Sequence, residues 1–436
     1  MEVIIGIIFT TMFGLSLVNL MQVRISVLGK MALSYLLGLG LQTLIMFYLA
    51  VLHIKLTALN VTIAVLIPTL LIILLNVLFK KKFLSNVNLN FKKLNFVEKL
   101  MIVIFFGLAA YVLAAGIYWP VVGWDSIALY DFRAKVFSIT GYMDDAIRRG
   151  YFFGYPLMTS MAHTWIYILG GHYPKFLYSL MYISFGLLFY EFSQKWANRT
   201  IAMVFTIISM TAYPIFAQAA YDYTNVPYTI YFFISSAALF YWTTTNEKKW
   251  LIVSALMMGI ATWIRSTDPF WIVNIIVIVW WSIKNKSISP ILIYILFFLP
   301  IQQSWNLFIT KMSPSVSSQS LLAGGFSVLV SKLDLNRLAQ TSSFVIQVLF
   351  SMLIPYSILL LISLTMAKKK ILDTFYFLLI LFGNISLLFV GAYIFSYIWE
   401  GWGLIGESLG RMGSVFIPLF TFAAAINLNE KVIYKK

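Results

Sequence analysis

The segment ALNVTIAVLIPTLLIILLNVLF, at residues 58–79, is followed directly by the three lysines at 80–82. It contains no charged side chain and is long enough to cross a bilayer as a helix, which takes about 20 residues. A helix satisfies its own backbone hydrogen bonds, so it is the structure that an apolar segment adopts in lipid. Lysines after such a segment are typical of a cytoplasmic loop. The segment therefore predicts an integral membrane protein.

Similar apolar segments recur along the chain. Its 436 residues are 61% hydrophobic and only 11% charged, whereas soluble domains carry about 25% charged residues. The short alternating segments of a membrane β-barrel are not seen. We therefore predict an all-α fold, a polytopic bundle of about thirteen transmembrane helices. The predicted spans are 2–21, 31–51, 58–79, 99–118, 173–193, 200–218, 227–243, 250–264, 270–283, 289–303, 342–364, 371–394 and 411–428. Segments 250–264 and 270–283 are short, and form either two spans or one broken or re-entrant span.

The charges predict the orientation of the bundle. Lysine and arginine total 31 against 15 acidic residues, and most of them fall in one set of loops, which we assign to the cytoplasm. The N-terminus is then outside, and the C-terminus is cytoplasmic. The basic residues are spread through short loops between apolar segments, which argues against nucleic acid and favours anionic lipid headgroups as partners. The composition, rich in Ile, Lys and Asn, fits a bacterial plasma membrane. There is no cysteine, which excludes disulfides and thiolate catalysis.

The acidic residues have the opposite distribution. The outer side receives Glu2, Asp125, Asp131, Asp144, Asp145, Asp222, Asp268, Asp334, Glu400 and Glu407. The bias of basic residues toward the cytoplasmic side does not explain why acidic residues fall on the outer side. We therefore predict that the reaction of this protein takes place on the extracytoplasmic face. We expect a single transmembrane domain over 1–436, with two long outer segments at 119–172 and 304–341.

The outer segment 119–172 predicts two juxtamembrane helices. From Ser126 onward, apolar residues recur at helical spacing and predict an extracytoplasmic amphipathic helix on the membrane surface. Asp131 and Lys135 are four residues apart and can pair on its polar face. A second, apolar helix is predicted from the Tyr155-Pro-Leu triplet to about Leu169.

Asp125 lies where the fourth span ends and the first of these helices begins. A carboxylate in this position, beside Trp124, suits a general base that takes a proton from an acceptor hydroxyl. The alternative is structural, because aspartate directly before a helix is a preferred N-cap that satisfies free backbone N–H groups.

Two arginines at outer span ends are candidate phosphate ligands. The guanidinium of Arg265 can bind phosphate oxygens in bidentate fashion; the alternative is a pair with Asp268 or contact with lipid headgroups. Arg411 opens the last span and either binds phosphate or anchors the helix, with Glu400 and Glu407 as candidate partners.

Asp222 and His163 complete the set of candidates. Asp222 either joins the site as a second acid or forms a turn between interfacial tyrosines. His163 either contacts substrate or is a plain interfacial histidine. The three histidines form no metal-ligand motif, so no metal site is predicted, although a divalent cation bound by aspartates is left open. No phosphate-binding glycine loop or nucleophile elbow is present.

Four motifs in order resemble the GT-C superfamily of polytopic membrane glycosyltransferases, in particular the group of protein O-mannosyltransferases and aminoarabinose transferases. They are Gly123-Trp-Asp-Ser with Arg133-Ala-Lys135, then Tyr155-Pro-Leu, Ile264-Arg-Ser-Thr-Asp268, and Gly410-Arg411 with Pro418 in the final span. The motifs cover roughly residues 119–428. Four predicted spans precede the first motif, where the superfamily usually has one.

The resemblance implies a transferase that moves a sugar from a polyprenyl-phosphate donor to an extracytoplasmic acceptor, with inversion at the anomeric carbon. Asp125 would be the general base, and Arg265 and Arg411 would bind the donor phosphate. Trp124, Arg133, Lys135, His163 and Asp222 are the further candidates for substrate contact. The acceptor would be an envelope glycan, lipid or protein.

Three other functions stay open at this point. A transporter or flippase of lipid-linked sugars would have two pseudo-symmetric halves with matching broken spans, and only one candidate break is visible, near 264–270. A surface-polysaccharide polymerase or ligase would use a diphosphate-linked donor and a later outer loop, for which 304–341 qualifies. A non-catalytic assembly subunit would tolerate substitution of Asp125 and Arg265.

Overall fold

A computed structural model describes residues 1–79, 94–144, 155–265, 269–312, 334–366, 375–398 and 402–428. The regular structure in these ranges is helical. The helices of the first half are α1 Glu2–Leu20, α2 Val27–Val51, α3 Ala58–Leu78, α4 Phe96–Tyr118, a π-helix Ser126–Asp131, α5 Phe132–Thr140, α6 Met158–Ile168, α7 Phe176–Ser193, α8 Arg199–Thr211 and α9 Tyr213–Phe216. Those of the second half are α10 Asn225–Thr245, α11 Lys248–Ile264, α12 Trp271–Lys284, α13 Ser289–Met312, α14 Leu335–Met366, α15 Phe375–Ile398, α16 Trp402–Gly413 and α17 Phe416–Asn427.

The helices confirm the prediction of an all-helical membrane bundle. By length and composition, nine stretches of the described residues are apolar enough to cross a membrane: Glu2–Leu20, Val27–Val51, Ala58–Leu78, Phe96–Tyr118, Phe176–Ser193, Ser289–Thr310, Leu335–Met366, Phe375–Tyr397 and Ile405–Asn427. Helices α8 and α12 are apolar but shorter. The count of about thirteen spans, the membrane orientation and the surface position of the outer helices stay predictions.

The chain divides into two compact units. The first comprises Met1–Phe192 and Phe216–Tyr231, and the second comprises Ser193–Ile215 and Phe232–Lys436. The expected single domain over 1–436 stays a prediction.

Close backbone contact between α1 and α2 organises the first unit. A Cβ atom on Gly14 would overlap the carbonyl oxygen of Ser34, and one on Gly38 would overlap that of Thr10. The Thr10 hydroxyl also donates to Oε1 of Gln42 at 2.6 Å, inside the contact. In lipid, no hydrophobic force drives helices together. They are usually joined by small residues, which let the backbones approach closely, and by buried interhelical hydrogen bonds.

Polar caps mark where several helices begin. The side chains of Ser26, Thr57 and Asn198 accept hydrogen bonds from backbone N–H groups three residues later. Asn95 and Glu98 form a reciprocal capping box at the start of α4. These interactions are local, and each satisfies N–H groups that the first turn of a helix leaves free.

The end of α4 packs closely on α7 and thereby positions the segment that follows it. The Ser179 hydroxyl donates to the carbonyl oxygen of Val112 at 2.8 Å, and a Cβ atom on Gly116 would come 3.1 Å from Cα of Phe176. Most of the remaining surface of α4 and α3 is exposed in the protein, which suits helices that face lipid. Residues 119–125 therefore leave α4 directly beside the start of α7.

The second unit has an aromatic core and a buried polar network. Rings of Trp196, Phe240, Phe377 and Phe422 pack with centroids about 5 to 6 Å apart, within the range that aromatic pairs favour. The network joins four helices. Ser235 donates to the carbonyl oxygen of Ser254 at 2.8 Å, and the amide nitrogen of Asn274 lies 3.2 Å from the Ser235 hydroxyl and 3.3 Å from that of Tyr294.

The structure bears on the form of two predicted regions. Region 250–283 contains two separate helices, α11 and α12, at the places of the predicted segments 250–264 and 270–283. The predicted final span at 411–428 is made by two helices, because α16 ends at Gly413 and α17 begins at Phe416. Arg411 consequently lies in the last turn of α16 and not at the start of a span.

Candidate functional site

The outer segment after α4 begins with a π-helix instead of the predicted α-helix. The N–H of Phe132 donates to the carbonyl oxygen of Ile127, five residues earlier. Neighbouring residues Tyr130 and Asp131 are both buried as a result, at 3% and 1% exposure. The predicted placement of Asp131 on an exposed polar face is therefore wrong, because it assumed regular α-helical winding. Short π-helical turns are frequent at functional sites.

Asp131 is the centre of a buried hydrogen-bonded cluster. Its Oδ1 lies 3.1 Å from Nδ1 of His163 and also accepts from the Tyr167 hydroxyl. On the other side of the imidazole, Nε2 lies 2.8 Å from the hydroxyl of Tyr178. His163 is fully buried, so the interpretation of it as a plain interfacial histidine is wrong. The predicted pair with Lys135 is confirmed, with Nζ 2.9 Å from Oδ2 of Asp131.

The cluster stabilises a negative charge on Asp131. Burial acts to raise the pKa of this carboxyl, but hydrogen bonds and the charge of His163, with further hydrogen bonds from Tyr167 and Lys135, lower it to about 2. Burial and the Asp131 charge together raise the pKa of the Tyr167 hydroxyl. A carboxyl group with so low a pKa is a poor general base at neutral pH. The hydrogen bond to Asp131 instead orients the imidazole ring of His163.

Asp125 lies just outside this cluster and is half-buried. It makes no side-chain capping hydrogen bond, and its backbone angles of −62° and −36° are already helical. The N-cap interpretation of Asp125 is therefore wrong, since a capping residue has a non-helical backbone and accepts from the following turn. Trp124, beside it, is 81% exposed.

The loop that carries Asp125 contacts the loop that carries Asp222. A Cβ atom on Gly123 would come 2.7 Å from Cε1 of Tyr223, so the glycine and the tyrosine ring are in close contact. Nearby, the hydroxyls of Tyr130 and Thr224 are 3.2 Å apart. These two loops, separated by about a hundred residues of sequence, thus meet at one place in the first unit.

Asp222 is fully buried, and neither of its carboxylate oxygens has a hydrogen-bond partner among the described residues. The alternative of a turn-forming aspartate is wrong, because such a residue is exposed and bonds to its own backbone. Lys175, at the start of α7, is 3% exposed. Burial lowers the pKa of its ammonium group, whereas the charge of Asp222 acts to raise it. The Lys175 ammonium also lies 5.7 Å from the ring centre of Tyr221, the residue that precedes Asp222.

Arg133 is fully buried and donates from Nη1 to the carbonyl oxygen of Tyr155 at 3.1 Å. Its guanidinium carbon lies 5.7 Å from the ring centre of Tyr130. The contact with Tyr155 joins the first outer motif to the second, directly before α6. The predicted apolar helix from 155 to about 169 is present as Met158–Ile168. Lys135 is largely exposed and contacts the cluster only through its ion pair with Asp131.

The two candidate phosphate ligands belong to the second unit. Arg265 follows α11 with an extended backbone; its suggested partner Asp268 lies outside the described residues, as do Asp145 and Glu400. Arg411 pairs with Glu407, one helical turn earlier, which confirms one of its two suggested partners. No group of three or more His, Cys, Asp or Glu side chains in the described ranges is placed to hold a metal ion.

Four residues of this region were not predicted from the sequence: Asp131 as a buried group, Lys175, Tyr167 and Tyr178. Asp131 and Lys135 have the four-residue spacing of an exposed helical pair, so nothing in the sequence indicated that Asp131 is buried. Lys175 and the tyrosines resemble the belt residues that normally flank spans. Only the folded structure distinguishes these residues from ordinary belt residues, because it brings their side chains close together.

Comparison of the chain with protein-family models, with curated proteins and with solved structures finds no match.

Proposed function

We propose that this protein is a membrane glycosyltransferase that moves a sugar from a polyprenyl-phosphate donor to an acceptor hydroxyl on the extracytoplasmic side. The main support is the meeting of the Asp125 and Asp222 loops through Gly123 and Tyr223. Two acids that are distant in sequence come to one region, with Lys175 beside them. Ionisable groups are rare in membrane bundles and usually mark a functional cavity.

In the proposed reaction, the oxygen of the acceptor hydroxyl attacks the anomeric carbon of the donor sugar. The bond from that carbon to the phosphate oxygen breaks, polyprenyl phosphate leaves, and the hydroxyl proton passes to the carboxylate of Asp125. Asp125 suits this role because it is only half-buried and is not used as a helix cap. Inversion at the anomeric carbon is an expectation from the resemblance to the GT-C superfamily.

Arg265 and Arg411 are proposed to bind the donor phosphate. This assignment rests on the resemblance of their motifs to that superfamily and on the bidentate fit of guanidinium to phosphate. Stabilising a leaving phosphate is usually a large part of the catalytic effect.

The test is turnover in proteoliposomes, with a panel of radiolabelled polyprenyl-phosphate monosaccharides and extracted envelope acceptors. We expect the wild type to consume one donor and Asp125→Asn to lose about 100-fold or more of that rate, the usual contribution of a general base. Asp144→Asn is the matched control, since Asp144 is a second aspartate of the same outer segment and pairs with His53 at 3.0 Å. Equal rates in Asp125→Asn and wild type would remove the base assignment. Failure of the folded wild type to consume any donor would overturn the proposal.

A further inference from the structure

The buried carboxylate of Asp222 requires a partner that the described protein does not supply. Both of its oxygens lie out of solvent without a hydrogen bond. An ionised carboxylate is expensive to bury unless its oxygens are bonded, and unsatisfied groups of this kind are rare in folded proteins. A ligand that donates hydrogen bonds would satisfy it.

The immediate surroundings already balance the charge. The ammonium of Lys175 donates to the carbonyl oxygen of Pro120 at 3.1 Å, which uses one of its three N–H groups. The ammonium lies 5.7 Å from the ring of Tyr221, the residue before Asp222, and no hydrogen bond joins it to the carboxylate. The pair therefore carries no net charge and has both donors and acceptors to offer.

Aromatic rings and a buried hydroxyl complete the cluster. The rings of Tyr221 and Tyr223 stack at 6.0 Å with planes 28° apart, and the Lys175 ammonium lies 5.7 Å from the Tyr221 ring. Ser126 Oγ is fully buried with no hydrogen bond in the described protein, and it lies next to the same face of Gly123 as Tyr223. Tyr221 is 41% exposed, so the cluster has one side open to the exterior.

The chemistry of these groups selects a neutral ligand that is rich in hydroxyls. Because the buried pair is neutral overall, a ligand that carries an ammonium group or an anion would add a net charge to a site out of solvent, which is costly. A hydroxyl group both donates and accepts, so one hydroxyl can donate to Asp222 while its neighbour accepts from Lys175. The flanking tyrosine rings offer an apolar face to the C–H groups of a sugar ring.

We propose that Asp222, Lys175, Ser126 and Tyr221 form a subsite for the vicinal hydroxyl groups of a neutral sugar. The inference rests on the proposed glycosyltransferase function and adds the class of sugar. It excludes amino sugars and uronic acids as the unit bound at this place.

The test measures binding rather than turnover, with the full-length protein in lipid nanodiscs. The probes are short-chain isoprenyl phosphates that carry a neutral hexose, the matching 2-deoxyhexose or an amino-deoxypentose. We expect the neutral hexose to bind best, and Asp222→Asn to weaken its binding about tenfold or more, the usual effect of losing hydrogen bonds to a charged group. Lys175→Met should weaken it as well. Asp144→Asn is the control and should leave binding unchanged.

Equal hexose binding by Asp222→Asn and wild type, tighter binding of the amino sugar, or no hexose binding by the wild type would each overturn the subsite. The outcomes separate the two proposals. Loss of turnover in Asp125→Asn with no effect of Asp222→Asn on binding keeps the transferase and rejects the subsite. Hexose binding that depends on Asp222, without turnover of any donor, keeps the subsite and rejects the transferase.

Discussion

Both units bury a polar network among apolar helices, but the two networks differ in charge. In the first unit, Asp131, His163 and Tyr178 form a charged chain. In the second, Asn274 links Ser235 and Tyr294 without any ionisable acid or base that is charged at neutral pH. A neutral network can join helices at small energetic cost. A buried charge is far more expensive, and is retained where chemistry requires it.

Buried side-chain atoms without a hydrogen bond occur in both units. In the second unit, Oδ1 of Asn274 is buried without a hydrogen bond, and in the first unit both oxygens of Asp222 are. A missing bond to a neutral amide costs about 1–3 kcal/mol, and one to a charged group costs more. We therefore predict a structural role for the second network and a functional role for the buried acids of the first unit. The following substitutions test that distinction.

The largest effect is expected for Asp131→Asn. The substitution removes the charge that His163, Tyr167 and Lys135 surround, and replaces one of the two accepting oxygens by an NH2 group that can only donate. Removing one member of a buried pair costs roughly 3–5 kcal/mol. Denaturant unfolding in mixed micelles would measure the loss. A change below about 1 kcal/mol, the range of exposed pairs, would mean that the cluster is solvated.

A smaller effect is expected from pH, acting through the same group. The pKa of Asp131 is about 2 in the folded protein, below its ordinary value of 3.8. The charged cluster therefore adds its full stability above pH 3.8, and this part is lost as the pH falls toward 2. The stability difference between wild type and Asp131→Asn should shrink across this window. A difference that stays constant from pH 5 to pH 2 would contradict the lowered pKa.

A loss of about 1 kcal/mol is expected for Asn274→Ala in the second unit, because interhelical hydrogen bonds in membrane proteins are individually weak. Ser282→Ala is the matched control on the same helix, since Ser282 is buried and its hydroxyl has no hydrogen bond in the described protein. Sugar transfer should be unchanged in both variants. A tenfold loss of turnover in Asn274→Ala would remove the distinction between the networks.

The smallest effect is expected for Lys135→Met. This side chain is 61% exposed and contacts the cluster from outside. Exposed ion pairs contribute about 0–1 kcal/mol, so unfolding free energy should change by less than that. A loss as large as that of Asp131→Asn would show that the lysine belongs to the cluster itself.

Several features of the fold followed from the sequence because they depend on neighbouring residues. Hydropathy over about 20 residues predicts a membrane helix wherever the helix later packs. The pair of Asp131 and Lys135 was predictable for the same reason, since four residues bring two side chains together in any helix. The apolar helix at 158–168 also follows from local composition.

The candidate site depended on tertiary structure, for physical reasons visible in particular residues. The π-helical turn buries Asp131, although its spacing to Lys135 is that of a surface pair. His163 on α6 reaches Asp131, and Tyr178 on α7 reaches His163, only because these helices pack together. Asp222 meets the Asp125 loop through the glycine contact at residue 123. Hydropathy and spacing are properties of the chain, so the sequence alone determined a helical membrane protein with acids on its loops. Which acids became buried, and beside which bases, was decided only when distant segments packed together.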